Sequence, residues 1–165
     1  MHRRSFLLAA VVVLSAGACG RVPQLANTSA SPEALATAVL DALARRDRAQ
    51  LDALAVSEQE FRDHVWPDLP ASRPERNLPF SYVWGDLHQK STISLAQTIM
   101  GHGGKRRSLQ RVTFAGKTQY ANYVVHRDAS FAVVDDTGAS ESLRVCGSFL
   151  EKDGRWKVFS YVVDE

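Results

Sequence analysis

The strongest constraint on the fold is a change of pattern at Gly103-Gly104. Before this pair, apolar residues recur at helical spacing, and after it the chain is rich in Val, Phe, Tyr and Thr, which favour strands. A run of helices followed by a run of antiparallel strands is typical of the α+β class. We therefore predict N-terminal helices packed on one face of a curved antiparallel sheet.

The second half of the chain contains five segments of strand composition. Asp136-Thr137-Gly138 and Lys152-Asp153-Gly154 supply tight turns between the last three, which predicts antiparallel pairing. Apolar residues occupy both faces of the last segment, so we expect it to be covered on both sides, as in a central or strongly curved strand. The predicted strands are residues 111–114, 119–127, 130–135, 141–151 and 155–163.

The first predicted helix has clear boundaries. Ser31 is a suitable N-cap, Pro32 suits the first helical position, and Arg45-Arg46 suit the negative end of the helix dipole. Apolar residues follow at steps of four along this helix. A second helical stretch is predicted over residues 48–55.

Two further helices are predicted before the strands. Ser57 and Glu60 form a capping box for a short third helix that Pro67 stops. Four prolines within residues 67–79 predict a surface loop. The next helix is predicted over residues 86–100, with Asp86 as its cap and Gly101 at its end.

This order of elements is similar to a known superfamily. The helix SPEALATAVLDALARRD, the helical pair after it and the terminal strand GRWKVFSYVVDE resemble the NTF2-like (SnoaL-like, cystatin-like) α+β cone over about residues 31–163. The short strand that this family usually has between its second and third helices is not evident. The resemblance implies a conical pocket for a small ligand, or a partner surface.

The first residues have the pattern of an export signal. Arg3 and Arg4 precede an apolar run of thirteen residues, which is shorter than the ~20 that span a bilayer as a helix. The run ends in LSAGAC, which resembles the lipobox of bacterial lipoproteins and makes Cys19 the expected lipidated residue. An ordinary signal peptide followed by a chance cysteine is the alternative.

The leader predicts a location in the bacterial cell envelope, anchored to a membrane by lipid. We predict a signal peptide over residues 1–18, Cys19 and a flexible tether over residues 19–30, and one domain over residues 31–165. Arg3-Arg4 with the following Phe-Leu resembles the twin-arginine motif, and export through the Sec route is the alternative. The inner and the outer membrane are the two alternatives for the location of the anchor.

Charge and cysteine content exclude several classes of function. Removal of residues 1–18 takes two of the 20 basic residues and none of the 18 acidic ones, so the mature chain is formally neutral. Nucleic acid is therefore not an expected partner. Cys146 would be the single remaining thiol, expected to be buried and inert, so no disulfide is predicted. The histidines lack metal-binding spacing, and we expect neither a metal nor a cofactor.

Five aromatic or imidazole residues are candidates for the lining of the pocket. Ligand pockets combine apolar walls with a few polar groups. The alternative is that these residues are ordinary core and rim aromatics. The candidates are Trp84, His88, Tyr120, Tyr123 and His126.

Asp86 and His88 are the nearest approach to a catalytic pair. An isomerase or dehydratase of the ketosteroid-isomerase type needs an acid or base in the apolar cone with a pKa near neutral. However, residues two apart on a helix point in different directions, and Asp86 is already the predicted cap. No catalytic motif of the family aligns with these positions.

The leading hypothesis is a non-enzymatic, lipid-anchored envelope domain. It would bind a small apolar ligand or another envelope protein, and a homodimer is a further expectation. The alternative is an isomerase or dehydratase that uses the conical pocket. An open pocket with a buried ionisable group would favour the enzyme, whereas an exposed apolar face would favour a binding module.

Overall fold

A computed structural model describes residues 24–163 of the chain, and four helices precede a five-stranded antiparallel sheet. The predicted α+β class is confirmed. Cys19 and the predicted signal lie outside the described residues. The helices are α1 (Pro32–Arg45), α2 (Arg48–Leu54), α3 (Glu58–Glu60, continued by a π-helical turn Phe61–Val65) and α4 (Phe80–His102), and the strands are β1 (Arg107–Gln119), β2 (Val124–Asp135), β3 (Ser140–Leu143), β4 (Ser148–Lys152) and β5 (Arg155–Ser160).

Helix α1 has the predicted ends. The Ser31 hydroxyl accepts a hydrogen bond from the amide of Ala34 at 3.1 Å, and Pro32 occupies the first turn. Arg46 ends the helix in a left-handed conformation with φ 54°, and its amide donates to the carbonyl of Leu43 at 2.9 Å. The apolar face of α1 is fully buried against the sheet and α2.

The capping box of α3 is also confirmed. Ser57 and Glu60 exchange backbone-to-side-chain hydrogen bonds, with the amide of Ser57 at 2.8 Å from a Glu60 carboxylate oxygen. The helical path continues through the π-helical turn and ends at Val65. Pro67 lies in the short 3₁₀ turn that follows, and residues 67–79 contain two more such turns in a mostly exposed segment.

The prediction for α4 was wrong at both ends. The helix begins at Phe80 after Pro79, so Asp86 is an internal residue and not the cap. The early start is explained by packing, because Phe80 and Val83 contact the apolar cluster around Phe61. The helix passes the predicted end at Gly101 and finishes at His102.

The sheet has the order β1-β2-β4-β5, with β3 paired to β2 beside β4. The predicted boundaries of two strands, 119–127 and 130–135, are wrong. The hairpin turn lies at residues 120–123, and β2 is one continuous strand. The predicted strand 141–151 is in fact β3 and β4. Residues 144–147 separate the two strands, although the amide of Gly147 still donates to the carbonyl of Ser160 at 3.0 Å. A Cβ atom at Gly147 would lie 1.6 Å from the carbonyl oxygen of Val162.

Strand β5 is covered on both faces, as predicted, since the adjacent residues Lys157 and Val158 are both buried. It stands last in the strand order and is not central. Its outer edge is partly protected by two single-residue bridges, an antiparallel one from Ser29 to Trp156 and a parallel one from Ala55 to Val158.

The described part of the predicted tether, residues 24–30, packs on the domain. Ser29 and Trp156 exchange two backbone hydrogen bonds of 2.9 Å. The amide of Ala26 donates to a Glu60 carboxylate oxygen at 2.8 Å, and Leu25 packs against the buried cluster around Phe61. The chain is therefore held along the edge of β5 from about Leu25 onwards.

The core consists of two clusters. The first joins α1, α2 and the C-terminal half of α4 to the sheet, and the second joins the segment after α2 and the N-terminal half of α4 to β2, β4 and β5. None of the helices within residues 24–163 combines the length and the hydrophobicity needed to span a bilayer. The buried members of the second cluster are Val56, Phe61, Val65, Tyr123, Val125 and Leu150.

Candidate functional site

A groove of about 550 Å³, with a predominantly apolar lining, lies between the N-terminal half of α4 and the sheet. We call it the α4 groove. One wall is the helix, the other is formed by β2 and by the end of β5, and Phe61 of the π-helical turn and Leu69 also line the groove. Its apolar lining includes Phe61, Leu69, Val83, Leu87, Val125 and Phe159.

An aromatic cluster holds this region together. The ring centroid of Phe61 lies 6.0 Å from that of Phe80, 5.2 Å from Trp84 and 6.3 Å from Phe159. The Arg62 guanidinium lies 3.7 Å above the Phe80 ring, which is a cation–π contact. Phe61 therefore connects the π-helical turn to α4 and β5 and fixes the width of the groove.

The charged groups of the α4 groove lie at its rim. Asp86 and Lys90 form an ion pair of 2.8 Å one helical turn apart, and both side chains are more than half exposed. Arg127 lies across from Gly116, where a Cβ atom would be 2.9 Å from the guanidinium. Asp128, with φ 54°, pairs with Arg144 at 3.4 Å.

The five predicted pocket residues do not share one pocket. Tyr120 lines the α4 groove. Trp84 and His88 stack with centroids 5.2 Å apart and line a separate cleft of about 390 Å³ beside Phe159 and Tyr161. Tyr123 stacks on Tyr120 at 4.6 Å but is buried, and its hydroxyl donates to the carbonyl of Val65 at 3.2 Å.

His126 contacts the first core cluster, through Phe114 and Trp156. Its ring lies 5.0 Å from Phe114 and 4.7 Å from Trp156, and Nε2 is 2.7 Å from a Glu151 carboxylate oxygen. The preceding residue, Val125, lines the α4 groove, because successive strand residues point to opposite faces of the sheet. His126 is thus separated from the groove by the sheet itself.

The proposed catalytic pair is not brought together either. Asp86 lines the α4 groove and His88 lines the neighbouring cleft. Asp86 is engaged with Lys90, and His88 lies against Trp84. The two side chains therefore line different cavities, which adjoin at Leu87 and Phe159.

A buried ion pair joins Glu60 to Lys157. The Lys157 ammonium lies 3.0 and 2.8 Å from the two Glu60 carboxylate oxygens, and its side chain is 2% exposed. Burial alone would raise the pKa of Glu60, but hydrogen bonds from Lys157 and from the amides of Ser57 and Ala26 outweigh burial and lower it. Every oxygen of this carboxylate is occupied, so its role is structural.

Two further reactive groups of the described residues, Cys146 and Tyr123, are buried. Cys146 is completely buried, which raises the pKa of its thiol, and the expectation of a buried thiol is confirmed. Burial also raises the pKa of the Tyr123 hydroxyl. Within residues 24–163, no group of three His, Cys, Asp or Glu side chains is arranged to hold a metal ion.

Sequence reasoning missed two aliphatic residues of α4 that line the groove, Val83 and Leu87. Phe80, Val83, Trp84 and Leu87 follow the i, i+3, i+4, i+7 spacing of a buried helical face. Reading that spacing would have placed the start of α4 correctly and indicated its apolar face. Comparison with protein-family models, curated proteins and solved structures gives no match to this chain.

Proposed function

We propose that this protein is an exported, lipid-anchored domain of the bacterial cell envelope that binds a small apolar ligand, or an apolar segment of another envelope protein, in the α4 groove. The activity is binding and not catalysis. The anchor is lipid on Cys19, and the domain is a member of the NTF2-like superfamily.

The superfamily assignment is supported by the order of the elements and by one contact. The family usually has a short strand between its second and third helices, and Ala55, which lies between α2 and α3, bridges in parallel to Val158 of β5. The amide of Val56 also donates to the carbonyl of Val158 at 2.9 Å. A strand reduced to one residue would leave little sequence pattern.

The observation that carries the binding function is the apolar lining of an open groove. Val83, Leu87 and Val125 are aliphatic side chains that contribute to its walls, while its ion pair, Asp86 with Lys90, lies on the exposed rim. Its volume of about 550 Å³ is within the range of small-molecule sites, which is ~300–1,000 Å³. Apolar walls with polar groups at the edge favour an amphipathic ligand.

The enzymatic alternative requires an acid or base inside the groove. Among the described residues, Glu60 is the buried carboxylate, and both of its oxygens are engaged by Lys157 and by backbone amides. The acids that line the groove, Asp86 and Asp128, each pair with a cation. These arrangements favour binding over proton transfer.

A dye titration with a matched pair of variants tests the proposal. N-phenyl-1-naphthylamine fluoresces strongly in apolar surroundings, and the full-length protein should enhance its emission. Val83→Glu places a carboxylate in the groove and should weaken dye binding about tenfold or more, because the buried charge must be desolvated.

Ile93→Glu is the control for this experiment. Ile93 is an aliphatic residue on the same helix, but it is 52% exposed and does not line the groove. This variant should bind the dye like the wild type. Equal dye binding by wild type, Val83→Glu and Ile93→Glu would show that the groove is not the site.

A further inference from the structure

A second cavity, of about 580 Å³, lies where the described chain begins. We call it the N-terminal cleft. Gln24, Leu25 and Thr28 form one side, the turn after the π-helical segment forms another, and the β4–β5 turn forms the third. Its polar lining includes Asp63, Asp68, Asn122, Lys152, Asp153 and Arg155.

Part of this lining is held in place by hydrogen bonds across the cleft. Asp68 accepts from the backbone amide of Asn122 at 3.0 Å and from its side-chain amide at 2.9 Å. Lys152 donates through Nζ to the carbonyl of Asn122 at 3.1 Å. The Lys152 ammonium has three donors, so two of them are left for a ligand.

Positive and negative groups both line the N-terminal cleft. Arg155 forms no ion pair with any other residue in the described part of the chain, although a guanidinium is well suited to bind phosphate through two parallel hydrogen bonds. The carboxylates of Asp63 and Asp153 also line the cleft. A ligand that carries both a phosphate and an amine would satisfy both kinds of group.

The position of the cleft relative to the anchor identifies a source for such a ligand. Gln24 is five positions after Cys19, so a lipid on Cys19 keeps Gln24 within about 18 Å of the attachment point. Ser29 is paired with Trp156, the neighbour of Arg155, so the cleft cannot move away from the start of the domain. The opening of the cleft therefore stays near the headgroup layer.

We propose that the N-terminal cleft binds the zwitterionic headgroup of a phospholipid. Arg155 and Lys152 hold the phosphate, and Asp63 and Asp153 hold the primary ammonium group. The inference rests on the lipid anchor of the proposed function, and it adds a second contact that orients the domain on the membrane. It does not depend on the α4 groove.

The test uses a headgroup without acyl chains, so that the α4 groove takes no part. The full-length protein is titrated with glycerophosphoethanolamine and, separately, with inorganic phosphate, ethanolamine and glycerophosphoglycerol, and backbone amide shifts at Asn122, Asp153 and Arg155 are followed by NMR. We expect glycerophosphoethanolamine to bind about tenfold more tightly than either phosphate or ethanolamine alone. Inorganic phosphate binding just as tightly would identify a free-anion site and overturn the headgroup assignment.

Variants locate the site. Arg155→Gln should weaken binding of glycerophosphoethanolamine about tenfold or more, and Lys152→Gln is a second variant that removes the other cation. Arg111→Gln is the matched control, because Arg111 is an exposed strand arginine outside the cleft. Unchanged binding in Arg155→Gln and Lys152→Gln, with thermal unfolding like the wild type, would rule the cleft out.

The result of the headgroup titration can be separated from the result of the dye titration that tests the proposed function. The same samples are titrated with N-phenyl-1-naphthylamine, whose binding reports the α4 groove alone. Failure of the wild-type protein to bind glycerophosphoethanolamine, with normal dye binding, contradicts the cleft proposal and leaves the groove proposal intact. Normal headgroup binding in Val83→Glu, which blocks the groove, is the result that the cleft proposal expects.

Discussion

At the scale of single residues, the Glu60–Lys157 pair has the largest structural role. The two residues are 97 positions apart in the sequence, and their contact joins α3 to β5. Glu60 also receives the amide of Ala26, so the N-terminal segment depends on the same carboxylate. From the sequence, Glu60 was predicted only as part of a capping box, because a local pattern carries no information about a partner so distant.

Replacement of Lys157 by methionine should be strongly destabilising. The variant leaves the Glu60 carboxylate buried without its cation, and loss of one partner from a buried pair costs about 3–5 kcal/mol. Denaturant unfolding at pH 7 measures the change, and Glu60→Gln combined with Lys157→Met should recover much of it. A loss below about 1 kcal/mol in Lys157→Met would contradict this role.

The same pair gives the stability a dependence on acid. The pKa of Glu60 is lower in the folded protein than its ordinary value of 4.5, so the unfolded chain binds this proton more readily. The stabilisation is complete above pH 4.5 and is lost as the pH falls through the folded pKa. Glu60→Gln should therefore lose less stability than the wild type between pH 5 and acid, as followed by denaturant unfolding at several pH values.

At the scale of elements, α4 is unusual because little of it is buried. Of its 23 residues, Leu95 and Thr98 are the buried ones, and both lie in its C-terminal half. The N-terminal half lines the α4 groove and the neighbouring cleft instead. Tyr82, Ile93 and Met100 are exposed on its outer side. The helix is thus anchored at one end and forms a cavity wall at the other.

Two glycine substitutions should change stability in opposite directions. Gly85 lies inside α4 with nothing within 4 Å of an added Cβ, so Gly85→Ala should raise the free energy of unfolding by up to about 1 kcal/mol. At Gly147 an added Cβ meets the backbone of Val162, so Gly147→Ala should lower it by more than about 1 kcal/mol. Thermal unfolding measures both changes, and destabilisation by Gly85→Ala would mean that this face of α4 is packed.

Local patterns predicted those elements whose boundaries are set by local chemistry. The caps of α1 and α3 and the two glycine-containing turns are of this kind. The start of α4 was misplaced because Asp86 was taken as the cap, although the apolar spacing that begins at Phe80, which contacts Phe61, indicates the earlier start. The strand over 141–151 was predicted to be unbroken because its apolar alternation continues through Val145 to Phe149, whereas residues 144–147 separate β3 from β4.

The candidate site was less predictable than the fold. Aromatic residues were easy to select, but which face of the sheet they occupy depends on strand boundaries, and a shift of one residue reverses the face. His126 and Val125 illustrate this, since the first contacts Trp156 in one cluster and the second lies in the groove. Of the five predicted pocket residues, Tyr120 alone lines the α4 groove.

At the scale of the whole molecule, the two core clusters have different structural roles. The first, around α1 and the long β1–β2 pair, supplies most of the buried apolar surface. The second cluster is smaller and borders the α4 groove. A ligand in the groove would add apolar contacts to this cluster. This arrangement places the apolar wall of the α4 groove on a well-packed sheet.

Native mass spectrometry of the full-length protein purified from its own membrane, without added ligand, is the most direct test of the α4 groove as a binding site. We expect the wild type and Ile93→Glu to carry a non-covalent apolar molecule of roughly a few hundred daltons, and Val83→Glu to lose it. The covalent mass of the same samples should show removal of residues 1–18 and lipid on Cys19. A wild-type protein without any bound molecule, or the same molecule retained in Val83→Glu, would contradict the account.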